Sequence, residues 1–210
     1  MEVTRGSRYK ISSTLVEKEY YNTPSIINII QPDNNVEQLK FLLGILNSRL
    51  VTWYHIKVHP KANAVTSIPK ILIKDIRNLP LPNLSNGKID VVKRVNEQLS
   101  NRQKLQALLD RFSTYIQSCI SPEKITKKLQ NWYELEFGEF IKELNKAIKT
   151  TGEDKLSKMD EMEWMEVFET KKSEAQSLKE QIAQTDKKID QLVYELYDLT
   201  QEEIDIIENA

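Results

Sequence analysis

From Phe168 to Leu196 the chain sets residues alternately three and four positions apart: Phe168, Lys171, Ala175, Leu178, Ile182, Thr185, Ile189, Leu192 and Leu196. Only an α-helix returns residues at those intervals to one face. The pattern therefore predicts a long helix from about Asp160, with a heptad seam and two polar interruptions, Lys171 and Thr185. Thr200, with Glu203 three residues later, predicts a capping box that starts one more helical turn. A seam this long has to be covered. Val91, Val95, Leu99, Leu105, Leu108, Leu109, Phe112 and Ile116 supply a matching stripe on a helix expected from Ile89 to Ile120. Short connections favour an antiparallel hairpin within one chain, and pairing with a second copy is the alternative. Between the two helices, Ser121-Pro122 with Glu123 reads as a helix start. That helix is expected to run through Ile125, Leu129, Trp132, Leu135 and Phe137, to break at Gly138, and to resume through Phe140, Ile141, Leu144 and Ile148 until Thr150-Thr151-Gly152 stops it.

The first eighty residues read differently. Arg8 to Val16 and Ile26 to Ile30 are rich in β-branched and aromatic residues, which predicts two or three short strands with a turn at Asn22-Thr23-Pro24-Ser25. Asn35 is placed to cap a helix over Val36 to about Ile56, buried on most sides. Gly44 inside it would cost about 1 kcal/mol in an exposed helix, so close packing against another backbone is expected. Asn47 and Ser48 read as structural residues of that helix, with Ser48 bonding back to the Gly44 carbonyl. Residues 57–70 form a basic loop, Ile71-Leu72-Ile73 a short buried strand, and Leu79-Pro80-Leu81-Pro82 an exit that neither helix nor central strand can pass. Asn83 to Gly87 supplies a polar linker. The expectation is an α+β chain, helix-dominated overall. A small mixed α/β domain over residues 1–82 precedes a long-helix antiparallel coiled-coil or bundle over residues 83–210.

Charge divides along the same line. Residues 1–80 hold eleven Lys/Arg against six Asp/Glu, and the remainder nineteen against twenty-five. A polyanion is drawn to the first part and repelled by the second. No apolar run of about 18 residues is present to span a membrane, and no secretory signal follows Met1. The single Cys119 excludes an internal disulfide framework and fits a cytoplasmic protein. No Gly-rich phosphate loop, Cys-x-x-Cys or His-Glu-x-x-His occurs. His55 and His59 stand four apart without a nearby carboxylate to complete a zinc site. Acidic pairs such as Glu134/Glu136 and Asp160/Glu161 read as solvated helix faces, and Tyr194 and Tyr197 as packing residues. Catalytic and metal residues are therefore expected to be none.

Two segments carry a resemblance. Leu42-Leu43-Gly44-Ile45-Leu46-Asn47-Ser48-Arg49-Leu50, followed by Leu79-Pro80-Leu81-Pro82, resembles the TaqI-like C-terminal specificity domain of type IIG restriction–modification enzymes and adenine-specific DNA methyltransferases. More distantly it is similar to the specificity subunit of type I systems. Glu163 to Phe168 and Ile189 to Ile204, with Leu-Val-Tyr-Glu-Leu-Tyr-Asp-Leu-Thr at 192–200, resemble the end of the type IIG polypeptides. In that family an upstream domain binds S-adenosylmethionine and methylates adenine N6 through an Asn-Pro-Pro-Tyr-type motif, and a nuclease part uses Mg2+. Neither motif occurs here, so the resemblance implies a fragment or separately encoded piece without cofactors of its own. The resemblance further implies a piece that begins part-way into the expected recognition domain and would work with a methyltransferase/nuclease partner on double-stranded DNA.

Phosphate contacts would position such a domain and base-edge contacts specify the sequence. The candidates are Arg5, Arg8 and Lys10 on the first arm and Lys57, His59, Lys61, Asn63, Thr66 and Lys70 on the loop. Asn63 suits bidentate bonding to adenine and Arg8 to guanine. A second reading stands beside this one: a helical protein-interaction or structural scaffold that binds no DNA.

Overall fold

The structure, a computed structural model, describes residues 2–5, 11–16, 21, 23, 26–33, 35–58, 71–82, 87–120, 125–152 and 154–210, with 2–5 as backbone alone. Helices dominate, and one small sheet accompanies them. The elements are β1 (Glu2–Arg5), β2 (Ile11–Thr14), β3 (Ile27–Asn28), α1 (Val36–Asn47), α2 (Arg49–Val58), α3 (Ile73–Arg77), α4 (Lys88–Ile120), α5 (Lys127–Gln130), α6 (Phe137–Thr151), α7 (Lys158–Leu196) and α8 (Gln201–Glu208). They form two compact units, Met1–Gln98 with Thr185–Ala210, and Leu99–Gln184. The divisions fall inside α4 and α7, whereas the expected boundary lay at residues 80–86. The linker residues 83–86 themselves lie outside the described residues.

In the first unit β1 is the central strand, antiparallel to both neighbours in the order β2-β1-β3. Glu2 stands opposite both Thr14 and Asn28. Of the turn expected at residues 22–25 only Thr23 is among the described residues, and its carbonyl accepts from the Ile26 amide at 3.0 Å. Asn35 caps α1 as its side chain predicted, accepting from the Gln38 amide at 3.1 Å. The single helix expected over Val36 to Ile56 is instead two, because Ser48 adopts an extended conformation (ψ 155°) between them. Its buried hydroxyl donates to the Ile45 carbonyl at 2.7 Å, not to Gly44, and accepts from the Val51 amide at 3.3 Å. One side chain thus ends α1 and caps α2. Asn47 is structural as expected but lies on the surface. Its amide accepts from the Ser13 amide at 2.7 Å and donates to the Ser13 carbonyl at 3.0 Å, tying β2 to α1.

The strand expected at Ile71-Leu72-Ile73 is a helix start instead. The Asp75 carboxylate accepts from the Leu72 amide at 2.9 Å and begins α3, leaving Leu72 and Ile73 largely exposed. The core of the unit joins Phe41, Ile45 and Leu46 of α1 with Val91 and Val95 of α4 and Ile189 and Val193 of α7, all nearly inaccessible. Gly44 lets these helices meet. A β-carbon there would lie 2.8 Å from Val91 Cγ1 and 3.1 Å from Val95 Cγ2. The close packing expected at Gly44 is therefore against valine side chains rather than backbone.

The second unit is built on aromatic packing. Phe112 of α4 meets Trp132 at 4.2 Å between ring centroids, and Phe140 of α6 stacks on Phe168 of α7 at 4.5 Å. Such pairs add about 0.5–1.5 kcal/mol each beyond the area they bury. The start expected at Ser121-Pro122 lies outside the described residues. What is described is α5, capped by Thr126, whose hydroxyl accepts from the Leu129 amide at 3.2 Å. The chain breaks at Leu135 and Glu136, both extended, and not at Gly138, which sits inside α6 with open space around it. Trp132 and Phe140 both have to enter one core, and the break lets them do so. Gly152 stops α6 in the left-handed region (φ 81°). Along α7 the seam residues Phe168, Ala175, Ile182, Thr185 and Ile189 are buried. Lys171 is only partly covered, while its neighbour Lys172 is buried, bonded to Glu136 at 2.9 Å and lying over the Phe168 ring.

Candidate functional site

The sequence pointed to two distant segments, around Leu42–Leu50 with Leu79–Pro82, and around Ile189–Ile204. The structure brings them together in the first unit. At the N-terminus of α2 the Arg49 amide donates to Asp190 Oδ1 of α7 at 2.8 Å. A carboxylate there satisfies a helix-end donor and the positive end of the helix dipole at once. The Arg49 guanidinium pairs with Glu208 Oε2 of α8, and Glu208 Oε1 accepts from the Tyr194 hydroxyl at 2.7 Å. The Tyr197 hydroxyl donates to the Pro80 carbonyl at 2.6 Å. Pro80 thus holds an acceptor at the exit of the first segment, and Tyr197 brings the donor from the far end of the sequence.

Local chemistry places each part. α7 ends in a left-handed Asp198 (φ 51°), and the Leu199 amide reaches back to the Tyr194 carbonyl at 3.1 Å. This is the Schellman closure that turns a chain sharply after a helix. Thr200 then caps α8. Its hydroxyl accepts from the Glu203 amide at 3.4 Å while Glu203 accepts from the Thr200 amide at 2.8 Å, the capping box read from sequence. Gly87, in the left-handed region (φ 72°), lets α4 begin against Leu196, whose Cδ2 would lie 2.7 Å from any β-carbon. Burial holds the Tyr197 phenol up at about 12. Burial, with Asp190 adding to it and Arg49 opposing, does the same for Tyr194. Both tyrosines are packing residues, as expected, and each also carries a defined hydrogen bond. Arg49, Asp190 and Glu208 were not singled out by sequence reasoning. The one signal available was an arginine between the apolar stretches Phe41–Leu46 and Leu50–Val51.

The residues expected to touch DNA are placed unevenly. Arg5 closes β1 opposite Ile11, and Lys57 is exposed in the last turn of α2. Arg8, Lys10, His59, Lys61, Asn63, Thr66 and Lys70 lie outside the described residues. His55 is buried. Among the described residues no group of three or more His, Cys, Asp or Glu is arranged to hold a metal ion. No helix among them is long and apolar enough to cross a membrane. The charge asymmetry of the sequence does not survive as a difference between units. Residues 1–98 with 185–210 carry sixteen Lys/Arg and sixteen Asp/Glu, because the acidic last segment folds onto the basic first one.

Comparison with known proteins gives two matches. Residues 3–81 match the family model of the TaqI-like C-terminal specificity domain. Residues 85–193, just over half of the chain, match the model described as a domain of unknown function (DUF8810). No curated protein and no solved structure matches the chain.

Proposed function

Because the chain belongs to the DUF8810 family of unknown function over residues 85–193 and carries a TaqI-like C-terminal specificity domain over residues 3–81, we propose that it recognises a DNA sequence for a restriction–modification enzyme. The observation that carries the reading is the specificity-domain match itself, and the clasp of Arg49 and Pro80 by the last helices fits a module whose two halves act together. The finer proposal is the C-terminal part of a type IIG enzyme or N6-adenine methyltransferase. Its catalysis, S-adenosylmethionine and Mg2+ belong to a methyltransferase/nuclease part elsewhere. The heptad seam of α7, with Phe168, Ala175, Ile182 and Ile189 buried, supports reading α4 and α7 as an antiparallel coiled-coil spacer.

Arg5, Arg8, Lys10, Lys57, Lys61 and Lys70 are the proposed phosphate contacts, Arg8 also suiting a guanine edge, with His59, Asn63 and Thr66 at base edges. The scaffold reading draws on one observation, the zero net charge of the first unit. Selection from a random duplex library with the full chain separates them. DNA recognition enriches a defined sequence, with affinity falling by on the order of a thousandfold between about 50 and 200 mM salt for six phosphate contacts. The triple variant Lys57→Ala/Lys61→Ala/Lys70→Ala then lowers the salt slope by about three. No enrichment and no binding at low salt overturn the proposal in favour of the scaffold.

A further inference from the structure

The second unit contains a groove that DNA recognition leaves unused. It lies between α4 and α7 and encloses about 780 Å³. α6 already packs on this helix pair, where Phe140 meets Trp164 at 5.7 Å and stacks on Phe168. The groove is a separate face of the same pair. Its floor is apolar, formed by Leu108 and Phe112 of α4 with Val167 and Leu178 of α7, and Ala107 stands exposed at its edge. An open apolar channel between two helices is the shape into which a third helix packs.

The charges on the two lips differ. On the α4 lip stand Lys104 and Arg111, seven residues and two turns apart, hence on one side of the helix and about 10 Å apart along its axis. Neither is ion-paired among the described residues. On the α7 lip Lys171 is neutralised by Glu174 at 2.9 Å. The groove therefore offers two unpaired positive charges along one edge only. A phosphate backbone would meet those charges but would leave the apolar floor empty.

We infer that this groove is a docking surface for an amphipathic helix of a partner protein, whose apolar stripe covers Leu108, Phe112 and Leu178 and whose carboxylates, seven residues apart, face Lys104 and Arg111. The groove runs about 17 Å along α4 between Lys104 and Tyr115, so three turns of partner helix fill it. The inference does not rest on DNA recognition, and loss of either leaves the other standing.

The test uses the full chain and a fluorescein-labelled, side-chain-stapled helical peptide with a leucine stripe and two glutamates seven residues apart, alongside a twin with lysines in their place. Anisotropy is expected to show saturable binding of the glutamate peptide and at least tenfold weaker binding of the lysine twin. Lys104→Glu/Arg111→Glu is expected to reverse that preference, and Ala107→Trp to abolish binding by filling the channel. Both variants alter exposed positions, and circular dichroism checks that their helix content is kept. Absence of glutamate-peptide binding overturns the inference. So does equal binding of both peptides, or binding that survives Ala107→Trp. Displacement of the peptide by duplex DNA would reassign the surface to nucleic acid. A concentration-dependent dimer lost in Ala107→Trp would reassign it to a second copy.

Discussion

Replacing Gly44 by alanine sets two effects of known sign against each other. In an open helix the change stabilises by about 1 kcal/mol, since glycine loses the most backbone freedom on folding. Here the new methyl group would sit 2.8 Å from Val91 Cγ1, 3.1 Å from Val95 Cγ2 and 3.7 Å from Ile189 Cγ2. Val91 and Val95 are fully buried in α4, and a helical valine keeps essentially one χ1 rotamer, so neither methyl group can swing aside. Overpacking of this kind costs about 1–3 kcal/mol. The net expectation is destabilisation by about 1 kcal/mol, with the sign fixed by the stiffness of valine. Urea unfolding followed by circular dichroism and tryptophan fluorescence measures it, read as two-state only where the two probes coincide. Gly44→Ala/Val91→Ala is the decisive companion, because the added methyl group then occupies space the valine has vacated. The double variant is expected to be more stable than the sum of the single changes by about 1 kcal/mol or more. A Gly44→Ala protein that gains about 1 kcal/mol, or a pair of changes that simply add, would refute the packing argument.

Two other perturbations test the same unit. Ser48→Ala removes the hydroxyl that both ends α1 and caps α2, and the expected loss is about 1–2 kcal/mol in urea unfolding; a loss below about 0.3 kcal/mol would mean that the break between the helices is held by something else. Tyr194 and Tyr197 both hold their protons up to about 12, above the value near 10 of an unfolded chain. The folded state therefore keeps protons that the unfolded state releases, so this stability is whole below about pH 10 and is lost as pH rises through 12. Tyr197→Phe is expected to shrink the fall in urea midpoint across that window and to cost about 1 kcal/mol at neutral pH through the lost bond to Pro80. An unchanged alkaline fall would show that the phenol is not held as described.

Features set by near neighbours were legible in the sequence. The capping box of Thr200 and Glu203, the Asn35 cap, the stop at Gly152 and the stripe from Val91 to Ile116 each depend on residues within one or two turns. The misreadings come from demands that composition and apolar spacing do not carry. Ile71 to Ile73 looked like a buried strand by composition, but the Asp75 carboxylate two residues on captured the Leu72 amide and started a helix. A helix over Val36 to Ile56 looked continuous because its apolar spacing is unbroken, and a serine hydroxyl that serves two helix ends leaves no trace in that spacing. Gly138 looked like the break, yet the break serves to bring Trp132 and Phe140 into one aromatic core, a demand made by partners far along the chain. The same limit applies to charge. A +5 opening segment could be counted, but the acidic residues near 190–208 that fold against it could not be placed without the tertiary structure.

The clasp also bears on how the protein is made. Arg49, Gly87 and Pro80 leave the ribosome more than a hundred residues before Asp190, Leu196 and Tyr197, so the first unit stays incomplete through most of synthesis while Leu99–Gln184 can already pack. At about 5–20 residues per second, Val91, Val95 and the helices around Gly44 wait several seconds or more with their apolar faces uncovered. A gene cut after residue 82 makes that wait permanent for the helices around Gly44, and its product should behave as a sticky, loosely ordered polypeptide even though it spans the whole specificity-domain match at residues 3–81.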